Sequence, residues 1–172
     1  FGNHDLNHHL LPTTDPFSNA IVRNVYSSPD STPAPPTTYT STDVPKVIAD
    51  HSTVTSNSPT ITDTRFVADA NVTVGSITHT FDGDLVLTLI HPNGTRVALA
   101  NRRGSSGDNF TNTVFDDEAA TPISAGPAPF TGSFTPDAPL SGMDNLPADG
   151  VWSLEVSDNA NLDTGTLDSW SL

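Results

Sequence analysis

An all-β sandwich of about eight strands, wound as a jelly roll and preceded by an irregular N-terminal extension, is the fold class this sequence predicts. Three observations predict it. Short runs rich in Val, Ile, Thr and Phe recur along the chain, bounded by Gly, Pro, Asn and Asp. Two of those runs, Ala70 to His79 and Asp84 to His91, alternate with the period of a strand. No apolar stripe at helical spacing is longer than two turns.

Residues 1–37 read as an extension and linker. They open on Asn3 to Leu11, pass a short apolar run at Ala20 to Val22, and close on Pro29, Pro33, Pro35 and Pro36. Proline at that density keeps backbone extended and unable to pair in a central strand. A boundary near residue 37 leaves 38–172 for the sandwich. Val44 to Ile48 is the first strand, and Pro45 places it at an edge because proline has no N–H to donate. Ser52 to Thr55 and Thr60 to Val67 follow, then the alternating run Ala70 to His79. Within Asp84 to His91, Leu85, Leu87 and Leu89 share one face, and Val86 and Ile90 lie on the other. Apolar residues on both faces predict a strand covered on both sides, or nearly so. Pro92 to Thr95 is a hairpin turn, because Asn93-Gly94 readily supplies positive φ angles. Arg96 to Ala100 is the return strand. Phe110 to Phe115, Phe130 to Phe134, Val151 to Ser157 and Leu167 to Leu172 complete the set. Met143 to Leu146 reads as a single helical turn after Leu140. Trp152 and Trp170 read as core residues.

Composition narrows the function classes. The 172 residues suit one domain of ordinary size plus an extension, and a hydrophobic content of 34 % leaves room for loops. The net charge is −14, from 6 Lys and Arg against 20 Asp and Glu. Such a surface repels phosphate backbones and anionic membranes and attracts divalent cations. There is no cysteine, which removes disulfides, thiolate metal sites and cysteine nucleophiles. No stretch approaches the roughly 18 apolar residues of a membrane span. The chain opens on Phe1 and reads as a piece of something longer, with any signal peptide outside it.

The acidic residues gather at strand ends. Asp108 and Asn109 open one strand, and Asp116, Asp117 and Glu118 follow its end. Asp82 and Asp84 flank Gly83 in a turn, and Asp158, Asn159 and Asp163 form a further acidic loop. Calcium takes about six to eight oxygens from carboxylates, amides and carbonyls. Three adjacent carboxylates repel unless a cation or other positive charge sits among them. The plainer reading is that Asp and Asn cap backbone groups in turns. The calcium reading names Asp108, Asp116 and Asp117 first, then Asn109, Glu118 and Asp84. Successive strand residues face opposite ways, so Asp116, Asp117 and Glu118 converge only if the strand stops there. Phe110 to Phe115 is about 20 Å long when extended, so one ion demands a bend at Asn112-Thr113, and otherwise there are two ions.

Other candidates carry less. His4, His8 and His9 lack the glutamate of a zinc-protease helix and read as surface residues. His51, His79 and His91 are scattered and receive no role. Asp50-His51-Ser52 holds the letters of a catalytic triad, but triads assemble in space and not from neighbours. No Gly-x-Ser-x-Gly elbow is present. Asn71, Asn93 and Asn109 open Asn-x-Thr sequons; Asn93 and Asn109 read better as turn residues.

The stretches Thr42-Asp43-Val44-Pro45, His79 to Leu89 with its Phe81-Asp82-Gly83-Asp84-Leu85, Pro92 to Thr95, Gly107 to Phe110, Phe115 to Ala119, Gly132 to Phe134, Gly150 to Leu154 and Asp163 to Leu167 together resemble a known family. It is the P domain, or P/Homo B domain, of furin-like and kexin-like proprotein convertases and of secreted microbial proteases. The resemblance runs from about Tyr39 to Leu172, about three-quarters of the chain. It implies an eight-stranded jelly roll and a non-catalytic, monomeric accessory domain of a secreted or extracellular protein. The expected cofactor is Ca2+. The expected partner is an adjacent subtilisin-like serine endopeptidase domain of the same polypeptide, which this domain packs against, stabilises and regulates. It leaves Asp84 two readings, a calcium ligand or a carboxylate that bonds backbone amides and locks a loop. The rival class is a stand-alone extracellular binding or adhesion module on the same fold.

Overall fold

Nine short strands form within residues 35–172, the part of the chain described by the computed structural model. They are β1 (Lys46–Ile48), β2 (Thr53–Asn57), β3 (Val72–His79), β4 (Leu85–Ile90), β5 (Arg96–Asn101), β6 (Phe110–Phe115), β7 (Phe130–Phe134), β8 (Ser153–Asp158) and β9 (Gly165–Ser171). They make two sheets, ordered β1-β9-β3-β6-β7 and β2-β8-β4-β5. All pairings are antiparallel except β6 with β7. The result is the expected β-sandwich, with no α-helix among the described residues. His4, His8 and His9 lie outside those residues.

Alternation dictates the core. Leu85, Leu87 and Leu89 of β4 are fully buried, while Val86 and Ile90 on the other face are half-covered. They meet Leu154 and Val156 of β8 beside them, and Val72, Val74 and Ile77 of β3, Phe110 and Phe115 of β6, and Leu167 and Trp170 of β9 complete the interior. Trp152 and Trp170 are buried, and each satisfies its indole N–H. Trp170 Nε1 donates to Ser56 Oγ at 2.8 Å and Trp152 Nε1 to the Ala148 carbonyl at 3.0 Å. Pro45 marks an edge as expected, since β1 pairs with β9 alone. The β4–β5 hairpin closes through Gly94 at φ 91°, with Asn93 Oδ1 accepting from Thr95 N at 2.8 Å.

The nine strands agree with the expected count of about eight. Three local expectations need correction. Thr60 to Val67 is no strand. Its pairing with the Asn145–Gly150 stretch reduces to isolated bridges at Ile61 and Phe66. Pro147 in the partner lacks a donor, and the Arg65 N–H turns aside to Asp63 Oδ1 at 3.0 Å. The helical turn after Leu140 is a 3-10 turn spanning Leu140–Met143, three residues earlier than Met143 to Leu146. A second 3-10 turn, Asp82–Asp84, stands where the start of β4 is predicted.

Candidate metal centre

β6 decides which acidic residues can meet. It pairs with β3 along its whole length, from Ile77 opposite Phe110 to Val72 opposite Phe115. Asn112 does bend, with φ 49°, and the register against β7 slips between Phe110 and Thr113. The continuous ladder to β3 nonetheless keeps the two ends of β6 apart. Asp108 and Asn109 therefore sit at one end of the sandwich, with Asp84, and Asp116, Asp117 and Glu118 at the other. The single-ion arrangement is not formed.

At the first end, the 3-10 turn Asp82–Asp84 is wrapped by the loop from Arg102 to Asn109. Arg102, Gly104, Ser105 and Asn109 in that loop all have positive φ. Asp82 N donates to Gly107 O and Gly83 N to Ser105 O, each at 2.8 Å. The Asn109 amide donates to Asp82 Oδ1 at 2.9 Å, and His79 N donates to Asn109 Oδ1 at 3.0 Å. Asp82 is wholly buried, and its Oδ2 has no hydrogen-bond partner. Burial pushes its carboxyl up to about 7, with the charge of Asp108 adding to the effect and the Asn109 amide opposing it. The amide-bonding role that resemblance offered Asp84 thus belongs to Asp82.

Asp84 faces the other way. Its carboxylate lies 3.8 Å from the Arg102 guanidinium, and its carbonyl accepts the Asn159 amide at 2.9 Å. Burial, then the charges of Asp158 and Asp163, raise its pKa, against Arg102 and His79. His79 Nε2 stands 3.5 Å from Asp158 Oδ2 with both side chains fully buried, and His79 Nδ1 lies 3.0 Å from the Phe81 carbonyl. Sequence reasoning gave His79 no role and placed Asp82 only as a turn residue. For His79 a signal existed: it follows Ile77 by two, on the inward face of β3.

At the opposite end, Asp117 takes the Leu140 N–H on one oxygen at 2.9 Å and the Ser141 N–H on the other at 2.8 Å. Both oxygens help hold the 3-10 turn Leu140–Met143. Asp116 Oδ1 accepts the Glu118 amide at 2.8 Å. The carboxyls of Asp116 and Glu118 also abut. That contact, with a small loss of hydration and the charge of Asp69, raises the pKa of the exposed Glu118. Among the described residues, no three His, Asp or Glu side chains converge as a preformed metal centre.

Asp50, His51 and Ser52 form no triad. Ser52 Oγ donates to the Ala49 carbonyl at 2.6 Å, and Asp50 Oδ1 accepts from Leu162 N at 2.9 Å.

The chain is 30% identical over 162 residues to leupeptin-inactivating enzyme 1 of Streptomyces exfoliatus, covering 94% of this chain and 26% of that protein. It is 31% identical over 115 residues to a calcium-dependent protease of Trichormus variabilis, covering 65% of this chain and 14% of that protein. A solved structure of the Aeromonas sobria serine protease with its chaperone is similar at 19% identity and a TM-score of 0.49, over 90% of this chain and 28% of that one. The chain thus spans about a quarter or less of the curated relatives it matches. Residues 67–172 match the proprotein convertase P-domain family, and the chain belongs to that family, a non-catalytic accessory domain of proteases.

Proposed function

We propose that this chain is the calcium-binding accessory domain of a secreted serine endopeptidase, with the sandwich beginning near residue 38 and acting as a monomer that stabilises or regulates the adjacent catalytic domain. Family membership carries the accessory reading. The match to a relative named a calcium-dependent protease supports the ion. The observation that favours a place for it is the abutting pair of Asp116 and Glu118, with Asp69 nearby. Two carboxyls held together gain from a shared cation, which supplies the positive charge that would otherwise have to be a proton. Asp116 and Glu118 would hold the ion, with backbone oxygens and water filling out its shell. Asp117 stays a backbone clasp in this reading.

Two measurements test it. The parent polypeptide, produced with and without residues 38–172, is assayed for secretion, peptide hydrolysis and thermal inactivation; an unchanged enzyme would sink the accessory role. Calcium titration of this chain then addresses the ion. At 100-fold excess over its dissociation constant, calcium adds about 2.7 kcal/mol and raises the melting temperature by several degrees. Identical melting curves in calcium and in chelator, or full binding by D116N and E118Q, would remove it.

A further inference from the structure

We propose that the loop from Arg102 to Asn109 is a second cation site, centred on Asp82 and Asp108, at the opposite end of the sandwich from Asp116 and Glu118. The inference rests on the calcium reading for the identity of the ion, and on separate residues for its place. The observation that carries it is Asp82 Oδ2, a carboxylate oxygen in a wholly buried side chain with no donor facing it. An ionised oxygen left in that state is costly, so native structures give it a hydrogen bond, a proton or a metal. The fold has settled the other oxygen: Asp82 Oδ1 takes the Asn109 amide.

The surroundings are oxygen-rich. Asp108 immediately precedes the residue whose amide bonds Asp82, and its own side chain is exposed. The carbonyls of Ser105 and Gly107 turn toward the same 3-10 turn, each accepting one amide from it. A carbonyl has two lone pairs, so each retains one. The loop reaches this arrangement through close approach. A Cβ on Gly104 would lie 2.9 Å from Asp82 Cβ, and one on Gly83 would lie 2.9 Å from the Ser105 carbonyl. Two carboxylates, main-chain carbonyls and water are the hard oxygen donors that calcium takes. The two cations of this loop are engaged elsewhere: Arg102 points its Nε to the Gly83 carbonyl and its guanidinium to Asp84, and Arg103 pairs with Asp137.

The test is calcium chloride titration of the whole chain, followed by calorimetry and by the backbone amide resonances. D108N is the main variant because its side chain is exposed and its loss should spare the fold. The expected result is two calcium equivalents, one lost in D108N and the other in E118Q. The amides of Gly83, Ser105 and Asn109 move with calcium in E118Q and stay still in D108N. D82N, if folded, behaves as D108N. If those three amides ignore calcium in the unaltered chain, or D108N keeps both equivalents, the second site is refuted. The site at Asp116 and Glu118 stands or falls independently, on E118Q.

Discussion

The buried Asp82 carboxyl makes the pH dependence of stability predictable in sign and size. In the folded chain it titrates at about 7, against an ordinary value of 3.8. Between those values the folded state holds a proton that the unfolded state has released. Stability therefore falls as pH rises from about 4 to about 7, and is flat on either side. A gap of about 3 pH units is worth about 4 kcal/mol at about 1.4 kcal/mol per unit, an upper figure because the loop can relax around the charge. Asp84 and Glu118 are also raised and slope the same way. Asp63, held down at about 2 by its Arg65 partner, acts in another window; its contribution is present above the ordinary carboxylate range and is lost as pH falls through 2.

Replacing Asp82 with asparagine separates its share from the rest. The amide oxygen in D82N would still accept the Asn109 N–H, but the side chain cannot ionise. Urea unfolding in chelator, followed by the fluorescence of the buried Trp152 and Trp170, gives the stability of both proteins from pH 4 to 8. Other groups cancel in the difference. D82N should gain on the unaltered chain as pH rises, by up to about 4 kcal/mol. A difference that is flat over this range, or that moves the other way, would refute the argument.

Two further outcomes follow from local geometry. Asp117→Ala removes acceptors from the Leu140 and Ser141 amides, and should cost about 2–4 kcal/mol by denaturant unfolding while leaving calcium affinity unchanged. Gly165→Ala should prevent folding or cost far more than Gly94→Ala. The first would drive a Cβ into the Thr78 carbonyl, whereas the second meets nothing within 4 Å and strains only a φ of 91°. Gly94→Ala should cost about 1 kcal/mol, and comparable melting temperatures for the two would contradict the reasoning.

What could be read from the sequence was whatever depends on neighbours along the chain. The Leu85, Leu87 and Leu89 alternation, the Asn93-Gly94 turn and the edge position forced by Pro45 are all local signals. Thr60 to Val67 misled because its β-branched residues suit a strand, while the donor that fails belongs to Pro147, about 80 positions on. Asp82 was hidden for a related reason. Nothing near it in sequence buries it; the loop 102–109 does, and that loop needs four positive-φ residues to close.

The acidic ends are best understood by asking what balances each carboxylate. Every Lys and Arg among the described residues already faces one: Lys46 with Asp43, Arg65 with Asp63, Arg96 with Glu155, Arg102 with Asp84 and Arg103 with Asp137. At other positions the fold uses backbone N–H groups, as at Asp50, Asp117 and Asp158. Such bonds hold loops without adding positive charge, and so leave the surplus behind the −14 in place. Three places remain where amides reach only part of the demand: Asp82 and, facing His79, Asp158 at one end, and the Asp116–Glu118 pair at the other. Those are the places where a proton or a cation does most for the fold.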